Sequence, residues 1–250
     1  MPYSERYVAF IDILGFREII KRSETDPRLY EALVKTLSEI HTREPFEGEE
    51  TVDFQFQTFS DSIVISSASS KKGLGYLLAA IHKLTLELMQ ESLLIRGGIA
   101  KGKLYHEKGV MFGPAVIEAY EIEKTIAKYP RVILSKQTYK DYRALELEPP
   151  AVMLSEDGPP CLDPFGGLKL LLSKDDSRLE ATELATKYRS AIQSLLEESI
   201  HNPGHYEKLR WLAILWNSTR FTEDSIIFPF AAEFIQSHQK SDKTQLAGRP

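Results

Sequence analysis

Apolar positions along the chain fall into two alternating regimes, short runs of strand type and longer stretches with helical spacing. Tyr7-Val8-Ala9-Phe10-Ile11-Asp12-Ile13-Leu14 is apolar apart from one carboxylate, and it predicts a strand over 6–14 closed by Gly15. Leu29, Leu33, Leu37 and Ile40 recur at helical spacing, so 27–42 is an amphipathic helix entered through Pro27. Residues 51–58 alternate, with Val52, Phe54, Phe56 and Phe59 on or near one side. Ser60-Asp61 reads as a turn and 62–67 as the returning strand of a hairpin. Gly73 to Gln90 is a second amphipathic helix. Leu94 to Leu104 reads as a strand whose Gly97, Gly98 and Gly102 predict close approach to its backbone. Gly113-Pro114 opens a helix over 114–128. Arg131 to Leu134 is a short strand, and Ser135 caps a small helix over 136–142.

The order β-α-β-β-α-β-α-β over this part is that of an α+β, ferredoxin-like (split βαβ) sheet with an additional strand and helices on one face. Beyond it, Glu148-Pro149-Pro150 and Asp157-Gly158-Pro159-Pro160 are rich in turn residues. They frame extended pieces ending in Gly167-Leu168-Lys169-Leu170-Leu171-Leu172. From Asp176 the pattern is helical, over 177–201, 204–217 and 229–238, and the polar tail 239–250 is expected to be disordered. The expected division is a domain over 1–175, a helical extension over 176–238, and the tail.

With 250 residues there is room for one large domain carrying such an extension. Lys plus Arg total 31 against 36 Asp plus Glu, a net charge of −5, which argues against a surface that coats nucleic acid. A mononucleotide needs only a few local cations, so it stays open. Cys161 is the single cysteine, which excludes an internal disulfide and a cysteine zinc site and fits a reducing cytoplasm. The N-terminus lacks the basic-then-apolar order of a signal peptide. The longest apolar candidate, Ile226-Ile227-Phe228-Pro229-Phe230-Ala231-Ala232, is too short to span a bilayer. A soluble, cytoplasmic protein without membrane contact is expected.

The candidate chemistry centres on Asp12 and Asp61. A carboxylate in an apolar strand is costly without a cation or hydrogen-bond donor. Two of them together can hold Mg²⁺ or Mn²⁺, and with it a nucleoside triphosphate. The plainer reading is that each ends a strand and caps the next turn. The six histidines read as structural or surface groups, His106 near a strand end among them. Gly73-Leu74-Gly75 lacks the third glycine and preceding strand of a dinucleotide fingerprint. Trp211 and Trp216, with Leu209, Leu212 and Leu215, read as the apolar face of a packing helix. Glu118, Glu121 and Glu123 read as a solvated helix face.

Five stretches in order resemble the catalytic domain of class III nucleotidyl cyclases. They are Phe10-Ile11-Asp12-Ile13-Leu14-Gly15-Phe16, Thr58-Phe59-Ser60-Asp61, Ile95-Arg96-Gly97-Gly98-Ile99-Ala100-Lys101-Gly102, Phe112-Gly113-Pro114-Ala115-Val116 and Arg131-Val132-Ile133-Leu134-Ser135. Together they cover about residues 5–140. The resemblance implies that Asp12 and Asp61 are the metal aspartates, with the Ile13 carbonyl as a further ligand of two Mg²⁺ or Mn²⁺ ions. It implies that Arg96 meets the β,γ-phosphates and that the Ile13-Leu14-Gly15-Phe16 turn offers backbone N–H groups to them. It also implies a homodimer with composite active sites. The reaction would be attack of the ribose 3′-oxygen on the α-phosphorus, with pyrophosphate leaving.

The chain departs from the family in two places. Ile117 and Glu121 stand where the family has an asparagine and a transition-state arginine. Lys124, Lys101 and Lys103 are the cations that could substitute. Gln57 and Val110 stand where purine cyclases read the base, and an amide beside an apolar wall suits a smaller pyrimidine. The combination resembles the stand-alone pyrimidine cyclases of bacterial anti-phage (Pycsar) defence, whose cUMP or cCMP acts on a separate effector protein. The expected substrate is UTP before CTP. The alternatives are a purine (adenylate or guanylate) cyclase and an inactive cyclase-fold nucleotide sensor, and Glu121 favours the sensor. Lys169 is a further candidate phosphate ligand.

Overall fold

The computed structural model describes residues 3–42, 53–107, 109–147, 150–155, 158–219, 221 and 227. In chain order the elements begin with β1 (Ser4–Ile13), α1 (Phe16–Ser23), α2 (Pro27–Thr42), β2 (Phe54–Phe59), β3 (Ser62–Ala68) and α3 (Lys71–Gln90). They continue with β4 (Ile95–Glu107), β5 (Val110–Phe112), α4 (Pro114–Thr125), β6 (Val132–Leu134) and α5 (Lys136–Tyr142). Then come β7 (Val152–Met153), β8 (Cys161–Leu162), α6 (Gly166–Leu172), α7 (Arg178–Glu198) and α8 (Pro203–Thr219).

The first four strands lie in the order β2-β3-β1-β4, all antiparallel, which is the expected ferredoxin-like arrangement. The sheet then runs on through β6, parallel to β4, and the short β8 and β7. Strand alternation decides what each face buries. Tyr7, Ala9, Ile11 and Ile13 of β1 join Ile63 and Ile65 of β3 in the main core, closed by Leu74, Leu77, Leu78 and Ile81 of α3. On the opposite face Val8, Val64, Ala100 and Leu104 meet Ala115 and Ala119 of α4. Close contact there depends on Gly98, where a Cβ would lie 2.4 Å from the Ala119 carbonyl oxygen.

The far end of β4 is held over the sheet by a buried polar network. Arg6 Nε donates to Ser66 Oγ at 3.0 Å, and that hydroxyl shares a 2.8 Å hydrogen bond with His106 Nδ1. Arg6 also pairs with the Asp53 carboxylate. On the main-core face Asp141 of α5 accepts from Tyr7 Oη at 2.6 Å and from Lys101 Nζ at 2.8 Å.

Residues 167–172 are helical in α6, where an extended piece was expected. A short leucine-rich run fits strand and helix equally, and packing decides between them. Helix α6 sits close against α3 here: a Cβ on Gly166 would lie 2.6 Å from the His82 ring and one on Gly167 2.8 Å from Leu86 Cδ1, so those side chains would have to shift. The two short extended pieces of this region are β7 and β8. Strand β5 was not foreseen.

By its contacts the chain divides into two compact units, Met1–Ala181 and Thr182–Pro250. In the second, Tyr188, Ile192, Leu196, Leu209, Leu212 and Trp216 are fully buried, so Trp216 is a packing residue as expected. Its Asn217 side chain brackets the Ile227 backbone, accepting at 2.8 Å and donating at 2.7 Å. The expected helix 229–238 and tail 239–250 lie outside the described residues. No helix among the described residues is long and apolar enough to cross a membrane.

Candidate active site

Strand register brings the two aspartates to one end of the sheet. Asp12 pairs with Ser62 across β1 and β3, so Asp61, the residue before Ser62, sits beside it. The Ile13 N–H donates to the Asp61 carbonyl at 3.0 Å and locks the hairpin turn against β1. Ser60 makes that turn with φ 57°, a left-handed conformation uncommon outside glycine and asparagine. On the other side of β1, Asp12 pairs with Arg96 of β4. Arg96 Nε donates to Asp12 Oδ2 at 3.0 Å.

A third carboxylate joins them. Arg96 Nη2 lies 2.8 Å from Glu123 Oε1 of α4. That contact is an ion pair without hydrogen-bond alignment. Burial pushes the Glu123 carboxyl above its ordinary pKa; the Arg96 charge pulls it down, and the nearby Asp12 and Asp61 charges push it up. Glu118 and Glu121 are exposed as expected, but Glu123 is only 4% exposed and belongs to the site. The signal was in the helical period. Ala115, Ala119 and Ile122 form the inward stripe of α4, and Glu123 follows Ala119 by one turn.

The turn after β1 is built on Gly15 at φ 75°, a conformation that glycine adopts without cost. The Leu14 N–H is bonded to the Leu94 carbonyl at 2.8 Å, and the Ile13 N–H to Asp61. The Glu18 and Ile19 N–H groups donate to the Gly15 carbonyl at 3.0 and 3.2 Å, so the amides that helix geometry leaves for an anion are those of Phe16 and Arg17, at the start of α1.

Gln57 and Val110 are brought together. Gln57 Nε2 donates to the Gly109 carbonyl at 3.2 Å, one residue before Val110, while its Oε1 is buried without a hydrogen-bond partner. Val110 is exposed. Lys124 is exposed on α4, with its ammonium 5.4 Å from the centre of the Tyr120 ring. Lys101 faces the other side of the sheet from Arg96 and is committed to Asp141. Lys169 is paired with Asp163.

The donor set near Asp12 suits a hard cation, since carboxylate and carbonyl oxygens are its preferred ligands. Among the described residues, no group of three or more His, Cys, Asp or Glu side chains is arranged to hold a metal ion. Two carboxylates with open positions fit Mg²⁺ or Mn²⁺ better than an all-protein cage does, because such ions keep places for phosphate oxygens.

No protein-family model matches the chain, and no curated protein matches it. Among solved structures it is similar to the catalytic core of a rhodopsin-guanylyl cyclase with converted specificity in complex with ATPαS. The identity is 17%, the TM-score 0.43, and the match covers 64% of this chain and 92% of that one. An adenylate/guanylate cyclase/hydrolase from Silicibacter pomeroyi matches with 17% identity and TM-score 0.38, over 64% of this chain and 94% of that one. A class III adenylyl cyclase-like ATP-binding protein from Pseudomonas aeruginosa matches with 14% identity and TM-score 0.39. There 73% of this chain is covered, and 40% of the other.

Proposed function

We propose that the chain is a nucleotidyl cyclase that converts a pyrimidine nucleoside triphosphate, UTP before CTP, to the 3′,5′-cyclic monophosphate and pyrophosphate. The observation that carries this reading is the convergence of Asp12, Asp61 and Arg96 at one sheet end, beside the Gly15 turn and the start of α1. Asp12, Asp61 and the Ile13 carbonyl would hold two Mg²⁺ or Mn²⁺ ions. When bound, these neutralise triphosphate charge and lower the cost of forming the attacking alkoxide.

The chain's own groups do the positioning. The first amides of α1 favour an anion through the helix dipole, and Arg96 supplies a cation for the β,γ-phosphates. Cyclisation is intramolecular, so fixing the triphosphate relative to the ribose removes much of the barrier. Gln57 beside Val110 offers an amide that can match the uracil or cytosine edge. Lys124 is the cation for the transition state, acting in the site of a second subunit. A homodimer is supported by the exposed apolar side chains Ile117 and Tyr120 on α4 and Phe59 on β2. We assign the cyclase domain to 1–175 and a helical extension to the described residues that follow, α7 and α8. The product would act on a separate effector in anti-phage defence, in the cytoplasm.

A nucleotide sensor without turnover is the second reading. It is favoured by Glu121 in place of a cation and by Arg96 being held between two carboxylates. Incubation with each of the four triphosphates and Mn²⁺ separates the two. Pyrophosphate release supports the cyclase; binding without release supports the sensor.

A further inference from the structure

The guanidinium of Arg96 is shared between two elements. Its Nε is on Asp12 of β1 at 3.0 Å, and its Nη2 is 2.8 Å from Glu123 of α4. A divalent cation that takes Asp12 competes with Arg96 for the same carboxylate. Glu123 cannot leave with the cation or swing to solvent, because α4 is seated at this point. Ile122, the preceding residue, would lie 2.7 Å from a Cβ on Gly98, and Glu123 itself is 5% exposed at its side chain. The Glu123 contact is an ion pair without the alignment of a hydrogen bond, and its attraction depends on distance more than on direction.

We propose that Glu123 is a positioning residue for Arg96: it keeps the guanidinium at the site when a cation occupies Asp12, and so sets how much cation the site needs. The proposal rests on the cyclase reading. Without the Glu123 charge, Asp12 becomes the remaining carboxylate of the pair for Arg96, and cation and arginine compete for it directly.

The test measures binding rather than turnover. The probes are the four 3′-deoxynucleoside triphosphates, which lack the attacking hydroxyl, titrated at a series of Mn²⁺ concentrations. The proteins are the wild type, E123Q, R96Q and the double variant, each checked by its melting curve. E123Q is expected to raise the Mn²⁺ concentration for half-maximal binding by about tenfold or more. Excess Mn²⁺ should recover binding. In the R96Q background E123Q should add nothing, because its effect passes through Arg96. A merely structural role would lower the fraction of competent protein without moving the Mn²⁺ requirement.

An unchanged requirement in E123Q overturns the proposal. So does an equal shift in the R96Q background, which would make Glu123 a direct cation ligand. If E123Q does not fold, E123D keeps the charge but withdraws it by one methylene. A smaller shift in the same direction is expected there, and no shift overturns the proposal. Wild-type protein that binds none of the four probes would bring down the cyclase reading and the proposal together. Wild-type binding with an unshifted variant defeats the proposal alone.

Discussion

Arg96 stands directly across from Asp12 in the β1–β4 ladder and donates to its carboxylate at 3.0 Å. The carboxylate that interrupts the apolar run of β1 therefore has its charge compensated within the chain, and the cost of burying it is offset. Asp12 is thus both a structural counter-ion and the proposed cation ligand. Asp61, on the hairpin turn, has the second role without so much of the first.

The two aspartates should accordingly respond differently to substitution. Asp61→Asn is expected to abolish cyclisation, by about a hundredfold or more, with an unfolding free energy within about 0.5 kcal/mol of wild type. Asp12→Asn should abolish it as well and cost about 1–3 kcal/mol, because Arg96 then keeps only Glu123 as an anion. Denaturant unfolding and a pyrophosphate assay on the same preparations check both. Near-wild-type turnover in either variant would remove these residues from the active site.

The proposed homodimer with composite sites makes a genetic prediction. A subunit carrying Asp61→Ala and one carrying Lys124→Ala should each be inactive as homodimers. Mixed, they form one site with both lesions and one intact site, so up to about half of the activity per dimer should return. The check is a purified heterodimer bearing two different tags. Absence of rescue would place all catalytic groups within one chain.

Gly98 and Gly75 form a matched pair for stability. A Cβ on Gly98 would lie 2.4 Å from a backbone oxygen of α4, whereas Gly75 in α3 has nothing within 4 Å. Gly98→Ala should destabilise by about 1–3 kcal/mol by pushing α4, and Glu123 with it, off the sheet. Gly75→Ala should stabilise by about 0.5–1 kcal/mol through helix propensity. Chemical denaturation of both variants decides; equal effects would contradict the close approach of α4.

His106 links stability to pH. Burial first, and then the Arg6 charge, push its pKa down from 6.5 to about 4, against a smaller opposite pull from Asp53. The unfolded chain takes up a proton near pH 6.5 and the native chain does not until about pH 4. The stabilisation is therefore complete above about pH 6.5 and is lost as pH falls toward 4, amounting to about 1–2 kcal/mol after allowance for solvent screening. His106→Gln, which does not titrate, should flatten that part of the stability–pH curve measured by urea unfolding. The same slope in the variant would assign it to other groups.

Asp12 in β1 and Asp61 in the β2–β3 turn stood out in the sequence because each interrupts an apolar run, and a charge is conspicuous wherever the rest of the pattern is regular. Gly97 and Gly98 likewise announced a close approach, though not that β1 makes it at Gly97 and α4 at Gly98. Glu123 reads with Glu118 and Glu121 as one solvated face unless its place one turn after Ala119, on the inward stripe of α4, is noticed; its partner Arg96 on β4 shows which of the three is buried. The helix α6 was misread because its leucines are too few to show a period, and contact with His82 and Leu86 determines its form. Base preference is legible only as residue types at Gln57 and Val110. The structure adds that they are neighbours and that the Gln57 amide nitrogen already has an acceptor in Gly109.

The most direct test of the account is competition among UTP, CTP, ATP and GTP at equal concentration with Mn²⁺, with the cyclic products read by mass and Asp61→Asn as the blank. A site that hydrogen-bonds one base edge rejects another strongly, because the wrong base leaves a buried polar group unpaired. The account predicts cUMP as the main product, cCMP second and purine products minor, all absent from the blank. Predominant cAMP or cGMP would contradict the pyrimidine assignment, and no cyclic product from any of the four would contradict the cyclase itself.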